Sequence, residues 1–298
     1  MFSYNSLLFY SELVLWLKFF LRNAMNSTQW VVAEMWFMVN SFLYCYSLGA
    51  IRMDSLCRTL INTPEFQRLK DIKQLDHLYL MFKNATHTRW KRCLSLKNRY
   101  EHCIGTSYLC GKYYDELIKH SNQPLGMNDE EMRKYRRCVV IAGLLHDIGH
   151  CVLGHSYPTY VKNCTNKEPI EHETMGILIF QRLLEREDIS RVFHSRKLDA
   201  EASAKDGCHL SFIDYICMMI AGKKKLLPKE MEGKWDAIPN DKKWLFQIVS
   251  NEGLSLHQQL IHRNGIDMDR VDYLLRDSKY VLIRAKYHVD GDKGVSEL

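Results

Sequence analysis

The sequence predicts a mostly α-helical fold, and two features of its hydropathy support this prediction. Apolar residues recur at helical spacing along most of the 298-residue chain, whereas the alternating runs typical of strands are sparse. Hydrophobic residues make up 46% of the chain and charged residues 26%, which are ordinary values for a globular protein. Because no repeat or low-complexity block interrupts the chain, we expect one large helical domain or two modest ones.

The charge and the cysteines narrow the class of protein. The formal net charge of +6 suits an anionic ligand such as a nucleotide, but an ordinary basic surface explains it equally well, and it does not by itself indicate nucleic-acid binding. The ten cysteines form no C-x-x-C pair and no signal peptide stands out, so we expect an intracellular protein of the nucleus or cytoplasm. The sequence contains neither a glycine-rich phosphate loop nor a G-x-S-x-G motif.

The first 50 residues differ from the rest because they are strongly apolar. Residues 30–51 could cross a bilayer and are interrupted only by Glu34 and Asn40. Three interpretations remain open: a membrane anchor, a helix packed on the domain, or sequence outside the fold. We therefore treat residues 1–50 as a segment of unassigned role and residues 51–298 as the main domain.

The main domain is predicted to be a series of helices with recognisable boundaries. Thr63 is expected to cap a helix that has Pro64 at its first position, since proline is favoured there. Further helices are predicted over residues 100–120, 135–147, 171–188 and 264–281. Residues 121–131 are predicted as a loop, and the polar, proline-broken segment 222–243 as a surface excursion.

The stretch "IAGLLHDIGHCVLGH", residues 141–155, carries the strongest chemical signal. Its apolar helix ends in His146 and Asp147, and His150 and His155 follow within nine residues. Three imidazoles and a carboxylate packed this tightly would repel one another or lose protons unless a cation organises them. The pattern therefore predicts a metal site, although histidines buried in a helical core remain an alternative.

A divalent metal needs more ligands than one His-Asp pair. His102, at the start of a predicted helix, and Asp269, in "GIDMDRVDY", are the further candidates. Two imidazoles and two carboxylates suit zinc, iron, manganese or magnesium and leave coordination positions open for water.

The last predicted helix carries a second pattern. Three polar residues share one helix face at positions i, i+4 and i+8: Asp269, Tyr273 and Asp277. Val271, Leu274 and Leu275 point in another direction and are expected to pack inward. The stripe could line a ligand site, or it could be a solvated face with an Asp272–Arg276 pair at i, i+4.

Five segments carry a resemblance to a known family. In chain order they are "TPEFQRLKDIKQL", "RYEH", "LLHDIGHCVLGH", "EHETMG" and "NGIDMDRVDYLLRD". Together they resemble the HD-domain deoxynucleoside triphosphate triphosphohydrolases, over roughly residues 49–283. The resemblance implies a helical HD fold and a metal-dependent enzyme that converts dNTPs to deoxynucleoside and triphosphate. It implies that the metal is held by His102, His146, Asp147 and Asp269.

The resemblance also implies roles for further residues. Three histidines would serve the phosphates and the leaving group: His150, His155 and His172. Six residues would bind the substrate: Gln74, Leu75, Arg99, Arg270, Tyr273 and Asp277. Among these, Gln74 and Asp277 would hold the 3′-hydroxyl, Tyr273 would stack on the sugar, and the two arginines would contact phosphate. Gln67 and Lys70 would belong to an allosteric site, and the family suggests a homo-oligomer.

Four departures from the family pattern keep other interpretations open. About ten extra residues, "WKRCLSLKNR", follow Arg89 and make Arg89 and Arg99 rivals for one phosphate-binding role. Pro158 stands where the family has an acidic residue, and "YCYSLG" and Asn62 replace its guanine-reading segment. The family pattern also continues beyond Leu298, so we expect a chain shortened relative to the family.

Three functions are consistent with these observations. The first is a dNTP triphosphohydrolase, and the second is an HD phosphohydrolase for another nucleotide. The third is a non-catalytic nucleotide-binding protein that keeps the HD core. The substrate-binding residues favour the first function, whereas the departures favour the third.

Overall fold

The computed structural model describes residues 42–45, 49–74, 98–120, 127–205, 208–249 and 267–280. This part of the chain contains eleven α-helices and four strands of two to four residues, which confirms the predicted mostly α-helical class. The chain divides into two compact units. The larger unit, Cys45–Gly49 with Leu56–Leu298, contains all of the candidate site residues and is the one described below.

The described elements are numbered in the order in which they occur along the chain. The strands are β1 (Phe42–Cys45), β2 (Gly49–Arg52), β3 (Glu201–Ala202) and β4 (Leu210–Ser211). The α-helices are α1 (Ser55–Ile61), α2 (Pro64–Gln67), α3 (Arg99–Lys119), α4 (Asp129–Leu145), α5 (Ser156–Thr165), α6 (His172–Leu184), α7 (Glu187–Ser195), α8 (Phe212–Ala221), α9 (Glu232–Asp236), α10 (Phe246–Val249) and α11 (Met268–Tyr280). Short 3₁₀ helices lie at Arg68–Lys70, Lys224–Leu226, Lys229–Met231 and Asn240–Leu245.

Strands β1 and β2 form a two-stranded sheet, and β3 pairs antiparallel with β4. The first sheet lies in the apolar segment that sequence alone offered as a membrane anchor. Residues 42–45 and 49–51 of that segment are therefore strand rather than helix, and positions 30–41 and 46–48 lie outside the described residues. Among the described helices, none combines the length and the apolar character needed to cross a bilayer.

The core of the larger unit is the pairing of α3 with α4. Helix α8 packs on α4, α11 packs on α3, and α6 packs on α8. Gly143 of α4 allows the central pair to approach closely, because a side chain there would press on Cys110 and on the backbone at Ser107. The two central helices thus form a rigid frame.

Side-chain caps determine where the central helices begin. Asn98 accepts a hydrogen bond from the Glu101 amide at 2.9 Å and caps α3. Asn128 and Glu131 form a capping box at the start of α4. Residues 129–131 were predicted as loop, so this part of the prediction was wrong. The predicted Thr63 cap is confirmed, because its hydroxyl accepts from the Phe66 amide and α2 begins at Pro64.

Two predictions about burial were wrong. Segment 222–243 is broken into short turns as its prolines suggest, but it is not a mere surface excursion. It contributes buried apolar residues to the core: Leu227, Met231, Ala237 and Ile238. On α11, Leu274 and Leu275 are 53% and 44% exposed, because Asp272 and Arg276 occupy the inward face.

We predict that Gly149 is required where α6 meets the turn after α4. A Cβ at Gly149 would overlap the His172 carbonyl oxygen and the Gly176 amide nitrogen. Gly149→Ala should therefore lower the free energy of unfolding by about 1–3 kcal/mol. Gly233→Ala is the matched control, because nothing lies within 4 Å of its new methyl group. Urea denaturation of both variants checks this, and equal stability of the two would contradict it.

Candidate metal centre

The structure brings the four predicted metal ligands together from three elements. His102 lies in the first turn of α3, His146 and Asp147 directly follow α4, and Asp269 lies in the first turn of α11. The His102 Nε2 is 2.9 Å from Asp269 Oδ1, 3.2 Å from His146 Nε2 and 3.6 Å from Asp147 Oδ2. His146 Nε2 is 3.6 Å from both Asp147 Oδ1 and Asp269 Oδ1.

The end of α4 explains how two adjacent side chains reach one point. Successive side chains diverge by about 100° within an α-helix. Helix α4 ends at Leu145, and the following residues form turns. The His146–Asp147 pair therefore lies just beyond the helix rather than in its last turn, and the turn directs both side chains into the site.

Hydrogen bonds fix the tautomers of both histidines. His146 Nδ1 lies 2.9 Å from the Gly143 carbonyl oxygen, and His102 Nδ1 lies 2.7 Å from Asp272 Oδ2. Each Nδ1 therefore donates its proton to the partner oxygen, so Nε2 is the nitrogen of each ring that faces the site and is available to a metal ion. The two Nε2 atoms lie 3.2 Å apart, close enough for both to coordinate one cation. The residues thus fit a divalent metal ion.

The electrostatics of the site also favour a cation. Burial lowers the pKa of His102, but hydrogen bonds with Asp269 and Asp272 outweigh it and raise the pKa to about 10. Burial would raise the pKa of Asp147, but Arg99 and the neighbouring histidines hold it well below its usual range. Ionised carboxylates beside imidazoles that attract protons create a negative potential, which a divalent ion would neutralise.

The metal centre opens into a cavity of about 150 Å³. His146, Asp147 and Asp269 line it on the metal side. Six other residues bring polar, charged or aromatic groups to the same cavity: Gln74, Arg99, His155, His172, Glu173 and Tyr273. Lys223 also lines the cavity, next to the left-handed Gly222 that ends α8. The cavity combines basic and acidic groups with an aromatic ring beside the candidate metal site.

Three predicted catalytic histidines form a cluster next to the metal centre. The His150 and His172 rings stack at 3.9 Å with planes 17° apart, and His155 meets His150 edge-on at 4.6 Å. His150 Nε2 lies 3.2 Å from Asp147 Oδ1, which connects the cluster to the metal ligands. Because the stacked rings hold their in-plane lone pairs in nearly parallel planes, the cluster is poorly arranged to enclose a second metal ion.

Burial controls the charge of this cluster. It lowers the pKa of His150, although Asp147 opposes the effect. Burial and the neighbouring His150 lower the pKa of His172 to about 3. Both imidazoles are consequently neutral near pH 7, while His155 is exposed to solvent.

The structure places the predicted phosphate-binding arginines in different surroundings. Arg99 is buried, and its guanidinium donates to Asp147 Oδ2 at 2.5 Å. Arg99 therefore lies at the site, whereas its rival Arg89 lies outside the described residues. Arg270 is half-buried, and its Nε donates to the Tyr273 hydroxyl at 3.2 Å.

The other predicted positions are only partly described. Leu75 lies outside the described residues, and so does the side chain of Asp277. Gln67 donates from Nε2 to the Ile61 carbonyl oxygen at 2.6 Å. The Lys70 ammonium lies 4.8 Å from the centre of the Tyr100 ring. The substrate-binding and allosteric roles of these residues remain predictions.

Several residues near the site were missed by sequence analysis. Lys223 was assigned to a surface segment, and Asp272 with Arg276 was offered only as a solvated pair. Arg68 donates hydrogen bonds to the carbonyl oxygens of Ile148 and His150 and so holds the loop between the metal ligands and the histidine cluster. The i, i+4 spacing could have revealed the Asp272–Arg276 pair, but no sequence signal marks Arg68.

These features define a helical protein with a histidine–carboxylate cluster that could hold a metal ion, at one side of a cavity lined by both basic and acidic side chains. The chain belongs to the HD domain family, because the family model described as "HD domain" matches residues 99–276. The matched range contains all four candidate metal ligands.

Curated relatives share most of this chain. The deoxynucleoside triphosphate triphosphohydrolase SAMHD1 of Xenopus laevis is 31% identical over 243 residues, which cover 80% of this chain and 34% of the relative. The human protein of the same name is 30% identical over 243 residues, or 80% of this chain and 33% of its own length. A putative HD domain-containing protein of Acanthamoeba polyphaga mimivirus is 30% identical over 247 residues, or 82% and 44%. The chain thus spans about a third of the vertebrate relatives.

We predict that His172 makes stability depend on pH. Its pKa is about 3 in the folded protein, whereas the unfolded chain has the ordinary value near 6.5. The unfolded state therefore binds more protons between these values, and stability falls as the pH drops below about 6.5 by up to about 1.4 kcal/mol per pH unit. The stability of the His172→Gln variant should decrease less steeply as the pH is lowered. Urea denaturation from about pH 6.5 to 4.5 in chelator checks this, and equal slopes would contradict it.

Proposed function

We propose that this chain is a metal-dependent phosphohydrolase that converts deoxynucleoside triphosphates to deoxynucleoside and inorganic triphosphate. The observation that carries the proposal is the convergence of His102, His146, Asp147 and Asp269 on one point beside a cavity that Arg99 and Lys223 also line. Membership of the HD domain family and the names of the SAMHD1 relatives support the same substrate class.

The cavity suits a polyanionic substrate. Attack on a triphosphate requires its negative charge to be shielded, and Arg99 and Lys223 bring two cationic side chains to the cavity wall. Arg99 is oriented by its bond to Asp147, so its position is coupled to the metal ligands. When bound by the four ligands, a divalent ion would supply an activated water and polarise a phosphoryl oxygen.

The three histidines of the cluster are proposed to have two roles, proton donation and phosphate binding. Hydrolysis forms a bond from the water oxygen to the α-phosphorus and breaks the bond from that phosphorus to the 5′-oxygen, which must gain a proton. His155 is exposed and can exchange protons with solvent, so we assign it as the donor. His150 and His172 are neutral and would hold phosphate oxygens through N–H groups.

Tyr273 and Gln74 support a nucleoside rather than a simple phosphate ester. Both line the cavity that contains the metal ligands, so a group bound against them can extend to the metal centre. The Tyr273 ring offers a flat surface for a sugar, and the Gln74 amide offers hydrogen bonds to a hydroxyl group. The proposed contact of Asp277 with the 3′-hydroxyl remains a prediction.

The first test identifies the product and its dependence on the metal ligands. We expect the parent chain with a divalent metal to release inorganic triphosphate from dGTP. His146→Ala and Asp147→Ala each remove one of four ligands and should lower bound metal and turnover at least tenfold. His194→Ala is the matched control, because it breaks an exposed His–Asp pair with a 2.6 Å contact.

Chromatography identifies the phosphate product, and elemental analysis measures the bound metal. Release of orthophosphate or pyrophosphate would assign the chain to another phosphohydrolase reaction. Nucleotide binding without turnover would instead support a non-catalytic protein. Full metal content in both alanine variants would contradict the ligand assignment.

The second test concerns sugar selection. Tyr273→Ala opens space beside the proposed sugar site, so we expect the preference for dGTP over GTP to fall about tenfold. Tyr273→Phe keeps the ring and loses only the hydroxyl contact with Arg270, so it should retain the preference. Parallel kcat/KM measurements with dGTP and GTP decide the question. An unchanged preference in Tyr273→Ala would remove this residue from the substrate site.

A further inference from the structure

A buried ion-pair network lies behind His102, on the side away from the metal centre. Asp272 Oδ2 accepts from His102 Nδ1 at 2.7 Å and from Arg276 Nε at 2.5 Å. The Arg276 Nη2 donates to Asp272 Oδ1 at 3.1 Å and to the Glu101 carbonyl oxygen at 2.6 Å. Asp272 is therefore hydrogen-bonded to the His102 ring and is connected through Arg276 to the α3 backbone at Glu101, one residue before His102.

The network is enclosed between α3 and α11. Asp272 and Arg276 are 0% and 4% exposed, which is unusual for two charged residues four positions apart on a helix. Gly105 lies one helical turn after His102, and a Cβ there would overlap both the Asp272 carboxylate and the Arg276 guanidinium. The absence of a side chain at Gly105 thus leaves room for the Asp272–Arg276 pair. Within this enclosed space, the Asp272 carboxylate faces the His102 ring.

We propose that Asp272, held in place by Arg276, is a positioning residue that fixes the tautomer and ring orientation of His102 for metal binding. This inference rests on the proposed metal-dependent function. Asp272 accepts from the imidazole nitrogen that faces away from the site, so the nitrogen that faces Asp269 and His146 is the one available to a metal ion.

The Asp272–Arg276 pair contributes to the site by orienting His102 rather than by adding net charge. The charge of Asp272 is balanced by Arg276, so the pair as a whole adds no net charge to the site. His146 receives a weaker partner at the equivalent position, the neutral Gly143 carbonyl oxygen. His102 is consequently the ligand whose direction depends on a carboxylate, and loss of that carboxylate frees its ring to rotate or change tautomer.

The test measures Zn²⁺ affinity of the metal-free full chain by competition with a fluorescent chelator. His102→Ala defines the signal from this site. Asp272→Asn should weaken Zn²⁺ binding about 10–100-fold. The matched control is Glu187→Gln, which breaks a carboxylate–arginine pair with Arg191 at the same i, i+4 spacing and a 2.5 Å contact, but on an exposed helix surface. This control should bind Zn²⁺ like the parent.

A double variant keeps the test decisive if Asp272→Asn alone does not fold. Asp272→Asn with Arg276→Gln removes both charges of the buried pair, so only the half-buried Glu101 carboxylate, 3.4 Å from Arg276 Nη1, loses an ionic partner. Circular dichroism verifies the folding of this variant. We expect the same loss of Zn²⁺ affinity in this variant. In the Zn²⁺-bound parent, ¹⁵N spectra of labelled histidine should show His102 protonated at Nδ1 and bound to the metal through Nε2, whereas the folded double variant should show a mixture of Nδ1-bound and Nε2-bound rings.

Each outcome separates this inference from the proposed function. Zn²⁺ affinity within twofold of the parent in the folded double variant would overturn the positioning role, even if dNTP hydrolysis occurs. Weaker Zn²⁺ binding in a chain that does not hydrolyse dNTPs would support the positioning role and contradict the proposed function. A parent chain that binds no Zn²⁺ or Mn²⁺ would overturn both.

Discussion

The close approach of two imidazole nitrogens between two carboxylates is the constraint on which the whole site depends. His102 and His146 present Nε2 atoms 3.2 Å apart, between the carboxylates of Asp147 and Asp269. In the metal-free chain, burial lowers the pKa of His102, but hydrogen bonds with Asp269 and Asp272 outweigh it, raise the pKa to about 10 and so keep a proton on the ring. A divalent cation at this point would replace that proton and be bound by the four proposed ligands, so the charge balance of this region and its proposed chemistry have the same requirement.

The helical frame makes this constraint tolerable because it places the ligands at or next to helix ends. Helices α3, α4 and α11 each contribute a ligand at or next to a helix end, and Gly143 lets the first two approach closely. Arg68, in the 3₁₀ helix Arg68–Lys70, donates hydrogen bonds to the loop after α4 and so connects the two segments. Rigid elements and a held loop position ligands more accurately than free loops do. The same loop then leads to the histidine cluster, so binding and proton transfer share one support.

Much of the candidate site could be predicted from the sequence, because its ligands lie in short motifs at helix ends. The helical class, the Thr63 cap and the convergence of the four ligands followed from patterns and from family resemblance. The charges of Asp272 and Arg276 suggested that both side chains are exposed to solvent, whereas the structure buries them. The sequence does not show that Gly105 leaves a buried space for them. Lys223 was also missed, because the turns that bring it to the cavity arise from tertiary packing rather than from local periodicity.

Anomalous diffraction from crystals of the full chain grown with Mn²⁺ or Zn²⁺ tests most directly whether these four side chains bind a metal. We expect an anomalous peak within bonding distance of His102 Nε2 and His146 Nε2, with Asp147 and Asp269 oxygens completing the protein ligands. Data collected at the absorption edge of the chosen metal would identify the ion. Absence of a peak at this point, or a metal bound instead among His150, His155 and His172, would contradict the ligand assignment.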